Sequence, residues 1–153
     1  MYLARAFIGT CVQNIGRVDK VAAGARALGY KELEGDMKAM VAPQDPNADY
    51  SGWLVAEKDK KPYLVGISQA KLNGEDYSIC VIANPYVAID DVLEEIQNLT
   101  TLDSQIANSE EAGQRYRVWA TEGIAARSFV SAVDAPQMGI VGGTISLSAP
   151  TEK

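Results

Sequence analysis

The stretch PYLVGISQAKLNGEDYSICVIA, residues 62–83, decides the fold class of this chain. Two apolar runs rich in β-branched and aromatic residues, 62–68 and 77–83, flank an Asn-Gly pair at residues 73–74, which favours the tight turn of a β-hairpin. A third run of the same kind, residues 51–57, precedes them across a short charged turn. Because short connections join antiparallel neighbours, this part of the sequence predicts a three-stranded antiparallel meander.

Helical periodicity precedes and follows the predicted meander. Apolar side chains recur every three or four positions near the amino terminus, where Leu3, Phe7 and Cys11 form one stripe, and again over residues 18–28. Residues 87–97 carry an apolar face opposite an acidic face, which predicts one amphipathic helix in the middle of the chain.

Three further strand signals occupy the last third of the chain, over residues 115–121, 127–133 and 144–148. The preceding segment, residues 98–113, is polar and is interpreted as a loop. The order of elements predicts an α+β fold, with an antiparallel sheet of about six strands in two three-stranded runs and with the N-terminal helices and the mid-chain helix packed on it. The length suits a single globular domain, residues 1–153.

Composition excludes several classes of function. The chain has a formal net charge of -6, which argues against nucleic acid as a partner, and it contains no histidine, which removes Ser-His-Asp triads and His-ligated zinc. No apolar run is long enough to span a membrane. The glycine-rich residues 138–144 lack the lysine of a phosphate-binding loop. The sequence therefore assigns no catalytic residue, metal or cofactor, and an enzyme is the less favoured class.

Arg115, Arg117 and Trp119 alternate on one face of a predicted strand and are the best candidate ligand-binding residues. Two guanidinium groups beside an indole can bind an anionic or aromatic ligand through charge and stacking. On this interpretation the opposite face, with Tyr116 and Val118, lies towards the core. The alternative is a solvent-exposed sheet face whose charges discourage pairing with other sheets.

The two cysteines are predicted to form a disulfide bond. The helical stripe directs Cys11 inward, and Cys80 lies in the middle of a predicted strand, so packing of the helix on the sheet would bring them together. Two separate buried thiols are the alternative, because free cysteine is among the most buried residue types. Neither cysteine has a histidine to activate it as a nucleophile.

Three short segments carry a resemblance to a known group of proteins: AFIGTCV at residues 6–12, ALGY at residues 27–30 and YSICV at residues 77–81. With them the chain resembles uncharacterised small exported proteins of Gram-negative bacteria. The resemblance implies a removed leader and a bond between Cys11 and Cys80, and it brings no activity. The first five residues do not read as an export signal, so a periplasmic or secreted mature protein and a cytoplasmic protein both remain open.

These observations favour a non-catalytic exported binding or interaction domain, whose partner is a protein or a small anionic ligand. One alternative is a histidine-free hydrolase that draws Asp90, Glu57 or Glu122 into a cleft, although the acids of the mid-chain helix are interpreted as a solvated face. Those acids are Asp90, Asp91, Glu94 and Glu95. Another alternative is a small-molecule carrier with a pocket between the sheet and the N-terminal helices. A strongly raised carboxyl pKa in a cleft would favour the enzyme, a wide apolar cavity the carrier, and an exposed apolar patch a protein partner.

Overall fold

The computed structural model describes residues 2–43 and 45–153, and this part of the chain forms one antiparallel sheet of eight strands with helices packed on it. The strands are β1 Lys31–Glu32, β2 Tyr50–Val55, β3 Tyr63–Leu72, β4 Glu75–Asn84, β5 Gln105–Glu111, β6 Gln114–Ala120, β7 Phe129–Asp134 and β8 Gly143–Pro150. Their order across the sheet is β1-β2-β3-β4-β8-β7-β6-β5. The predicted α+β class with an antiparallel sheet is therefore confirmed.

Helices cover mainly one face of this sheet. They are α1 Tyr2–Phe7, which continues as the π-helical turn Ile8–Val12, then α2 Val18–Ala27, α3 Gly35–Ala39 and α4 Ile89–Leu99. Helices α1, α2 and α4 pack on one face, and the side chains that flank α3, Leu33 and Val41, lie on the other. There Val41 approaches the backbone of Gly66 so closely that a side chain at that position would overlap it. Among the described residues, none of the helices has the length and hydrophobicity that a membrane span requires.

The sheet consists of two meanders, β1–β4 and β5–β8, which the antiparallel pairing of β4 with β8 joins into one. The prediction of about six strands was too low, because β1 and β5 at the two edges were missed. Residues 98–113, interpreted as a loop, contain β5, whose side chains are almost all exposed. Backbone hydrogen bonds to β6 hold this strand rather than burial of an apolar face, so the sequence carries no alternating pattern.

Apolar side chains of the helices pack on the central strands as their spacing predicts. Leu3, Phe7 and Cys11 are all buried, and so are Leu93 and Ile96 of α4. The backbone N–H of Gln13 donates to the carbonyl of Ile8, an i→i+5 bond that marks the π-helical turn after α1. The stripe that begins on α1 thus remains directed at the sheet as far as Cys11.

Cys11 and Cys80 are joined by a disulfide bond, which confirms this prediction. Their Cα atoms lie 5.5 Å apart, and the two residues are separated by 69 positions in the sequence. Cys80 lies in the middle of β4, where it is paired with Ile67 on one side and Leu147 on the other. The bond therefore ties the N-terminal helical segment to the centre of the sheet.

Candidate functional site

The three predicted ligand-binding residues lie on the face of β6 that α4 covers. Trp119 is buried in the main core, and the side chains of Arg117 and Arg115 are only 11% and 26% exposed. On the opposite face Val118 is buried too, whereas Tyr116 is half-buried. Arg115, Arg117 and Trp119 share one face of β6, but this is the face towards the main core, so the expectation that the opposite face lies towards the core is wrong. Acidic side chains of α4 and β7 pair with both arginines on this face.

Asp134 of β7 holds Arg115 in place. It lies directly opposite Arg115 in the register of β6 and β7, and its side chain is only 4% exposed. Arg115 donates from Nε to Oδ1 at 2.9 Å and from Nη2 to Oδ2 at 2.7 Å. Two parallel charge-assisted hydrogen bonds compensate the desolvation of a buried carboxylate. The hydrogen bonds with Asp134 also raise the pKa of Arg115 above its usual value.

Asp90, in the first turn of α4, accepts hydrogen bonds from both arginines. Arg117 donates from Nη1 to Oδ1 at 2.8 Å, and Arg115 donates from Nη2 to Oδ2 at 3.2 Å. Burial by itself would raise the pKa of Asp90, but the hydrogen bonds from Arg117 and Arg115 outweigh it and hold that pKa below its usual range. The Asp90 side chain is 59% exposed, so its carboxylate forms the solvent side of the group.

Arg117 is the less completely paired of the two guanidinium groups. Its Nη2 lies 3.4 Å from Oδ2 of Asp134, and its guanidinium carbon lies 5.6 Å from the centre of the Trp119 ring. Its Nε is buried and has no hydrogen-bond partner within the described residues. A buried donor without a partner is costly, which makes Arg117 the less firmly held of the two arginines.

Together Arg115, Arg117, Asp90 and Asp134 form what we call the arginine cluster. The buried carboxylate of Asp134 orients both guanidinium groups, and both also donate hydrogen bonds to the exposed carboxylate of Asp90. Planar guanidinium forks of this kind are suited to the oxygen atoms of carboxylates and phosphates. The arrangement can therefore hold an anionic group at the position of the Asp90 carboxylate.

A cavity of about 190 Å³ lies between α2 and the sheet, where the carrier alternative expected a pocket. Thr10, Asn14, Tyr30 and Tyr63 are among the residues that line it. Burial is the main reason that the pKa of the Tyr63 hydroxyl is raised well above its usual range. Ligand pockets usually measure roughly 300–1,000 Å³, so this cavity suits only a very small molecule.

The three carboxyl groups of the hydrolase alternative occupy different places. Asp90 lies in the arginine cluster, beside the start of β6. Glu57 lies in the turn after β2, where its carboxylate is 3.5 Å from Nζ of Lys60. Glu122 follows the end of β6 and accepts a hydrogen bond from the backbone of Arg127. Within residues 2–43 and 45–153, no three acidic, cysteine or histidine side chains are grouped as metal ligands.

An exposed apolar segment lies at the same end of the sheet as the arginine cluster. Met138, Ile140 and Val141, in the connection from β7 to β8, are 61%, 51% and 58% exposed. Gly142 packs against the backbone of Asn84 and Pro85 at the end of β4, and Tyr86, which follows them in the chain, is 45% exposed. An apolar surface of this kind is typical of a site that contacts another protein.

No protein-family model matches this chain, and no curated protein or solved structure shows significant similarity to it. The structure itself therefore gives the class: an α+β protein with an eight-stranded antiparallel sheet, within the described residues, and a disulfide bond from its N-terminal helical segment to a central strand.

Two members of the arginine cluster were not recognised from the sequence. Asp90 was assigned to a solvated helix face, and Asp134 received no role. Asp134 does carry a signal, because an acid that ends an apolar strand is a poor core residue unless a cation faces it. The only candidates on the neighbouring predicted strand were Arg115 and Arg117.

Proposed function

We propose that this chain is a non-catalytic binding domain that acts in an oxidising compartment, either periplasmic or secreted. The bond between Cys11 and Cys80 supports this location, because structural disulfides persist outside the cytoplasm and are rare within it. The resemblance to exported proteins of Gram-negative bacteria points to the same compartment. The cytoplasmic alternative would require the bond to persist against a reducing environment.

The binding part of the proposal depends on one observation, the convergence of Arg115 and Arg117 on a single exposed carboxylate. We infer that the ligand is a small molecule with a carboxylate or phosphate group. Trp119 is buried beneath Arg117, so it supports that guanidinium and is not a stacking surface for the ligand. The two arginines supply the charge, and the ligand's oxygen atoms supply acceptors.

The test is calorimetric titration with inorganic phosphate, acetate and citrate at constant ionic strength. Arg117→Gln is the informative variant, because Arg115 still pairs with both oxygen atoms of Asp134. We expect this variant to lose at least tenfold in affinity. Arg26→Gln, the same change at an exposed position of α2, is the control and should bind as the wild type does. Equal affinities of wild type and Arg117→Gln would place any binding elsewhere.

Interaction with another protein is the second candidate, and the exposed apolar segment supports it. A photo-crosslinking residue at position 140 should then trap a defined partner in the native compartment. The control is the same residue at position 28, because Leu28 is also apolar and exposed but lies at the C-terminal end of α2. Equal products from both positions would count against a specific interface.

A further inference from the structure

The two carboxylates of the arginine cluster differ in how firmly they are held. Asp134 is 4% exposed and uses both oxygen atoms on Arg115, so it cannot move without leaving a buried charge unpaired. Asp90 is 59% exposed and lies on the surface of α4, so water can solvate its carboxylate if the side chain turns away. Exposed ion pairs are weak, which makes the Asp90 contacts the ones that can open.

When Asp90 turns away, Arg115, Arg117 and Asp134 remain as a formed site that carries one net positive charge. Arg115 keeps both hydrogen bonds to Asp134 and stays in position. Arg117 loses its shortest hydrogen bond, while its Nε is already without a partner among the described residues. The amino-terminal end of α4 adds the positive end of a helix dipole beside the two guanidinium groups. An anion at this position would restore the lost hydrogen bonds.

We propose that Asp90 occupies the place of the ligand's anionic group, and that a carboxylate or phosphate entering between Arg115 and Arg117 displaces it. This inference rests on the proposed function, and it adds that the Asp90 carboxylate competes with the ligand for the two arginines. Asp134 acts as a positioning residue that keeps both guanidinium groups in place during the exchange. Asp90 then reduces the affinity for every anion and favours ligands that can satisfy both arginines at once.

The size of this effect follows from the fraction of molecules in which the site is open. The apparent dissociation constant is the intrinsic one divided by that fraction. If weak, exposed ion pairs leave the site open in on the order of one molecule in ten, then removal of the competing charge should tighten binding about tenfold. The same argument predicts no change when a neighbouring acid that does not contact the arginines is neutralised.

The experiment compares Asp90→Asn with Asp91→Asn, which makes the same change of charge at the next position of α4. The probes are inorganic phosphate and acetate, titrated at constant ionic strength and followed by calorimetry and by intrinsic tryptophan fluorescence, to which Trp53 and Trp119 both contribute. We expect about tenfold tighter binding by Asp90→Asn and wild-type affinity for Asp91→Asn. Adding Arg117→Gln to Asp90→Asn should abolish the gain. Circular dichroism of each variant verifies that the fold is retained.

Each other outcome overturns a defined part of this reasoning. If wild type and Asp90→Asn bind equally and both lose binding with Arg117→Gln, displacement of Asp90 is wrong and anion binding stands. If Asp91→Asn gains as much as Asp90→Asn, the effect is one of net charge and displacement is again wrong. If no variant binds either anion, the proposed function fails together with this inference.

Discussion

Replacing Cys11 and Cys80 by alanine should lower the free energy of unfolding by about 4 kcal/mol. The bond closes a loop between positions that are 69 apart, and such a loop restricts the unfolded chain. In the loop-entropy relation this length corresponds to about 15 cal/mol/K, or about 4 kcal/mol at 25 °C. Alanine is chosen because both positions are buried, where a serine hydroxyl would need a hydrogen-bond partner.

Urea unfolding followed by tryptophan fluorescence measures this loss, because Trp53 and Trp119 are both buried and will report exposure. With a slope of about 2 kcal/mol per molar urea, the midpoint should fall by about 2 M. Each single alanine variant should cost nearly as much as the double variant, since either change breaks the same bond. Single changes that add up to the effect of the double change, or a midpoint shift below about 0.5 M, would refute the reasoning.

Three other changes test the packing, a turn and the arginine cluster. Leu93→Ala should lower the free energy of unfolding in urea by about 2–5 kcal/mol, because Leu93 lies on the buried face of α4. An unchanged midpoint would contradict that orientation. Ala112→Asn should raise stability by roughly 0.5–1 kcal/mol, because Ala112 has φ 53° in the turn between β5 and β6 and asparagine tolerates that conformation better; a lower melting temperature would contradict this. The low pKa of Asp90 means that its contribution is present above the unfolded-state value of about 3.9 and is lost as the pH falls further. Wild type and Asp90→Asn should therefore differ in stability at neutral pH and converge in acid, and a constant difference would exclude the ion pairs as its cause.

Elements with a buried apolar face could be predicted from the sequence. Helix α4 presents a periodic pattern because one of its faces is buried, and strands β3 and β4 present continuous apolar runs because both of their faces are largely buried. The edge strand β5 has no such face, because it is held by backbone hydrogen bonds to β6. Side-chain patterns report burial, so a strand that buries almost nothing leaves no pattern to find.

The candidate site shows a second limit of sequence reasoning. The spacing of Arg115 and Arg117 placed both on one face, but it could not decide whether water or acidic side chains neutralise them. The acids that do so lie 25 positions before Arg115, at Asp90, and 19 positions after it, at Asp134. Such pairs form only when α4 and β7 are assembled around β6. Neither separation along the sequence corresponds to a helix or strand period, so no sequence pattern reveals these pairs.

The pairing of β4 with β8 also constrains how the chain can be made. Synthesis must proceed as far as residue 150 before β4 gains its second neighbour over its full length. Until then the strand that carries Cys80 presents an open edge of backbone donors and acceptors, the kind of edge that recruits other chains. The bond between Cys11 and Cys80 requires only residues up to 80, so it can tie the N-terminal helical segment to β4 before β8 has been synthesised.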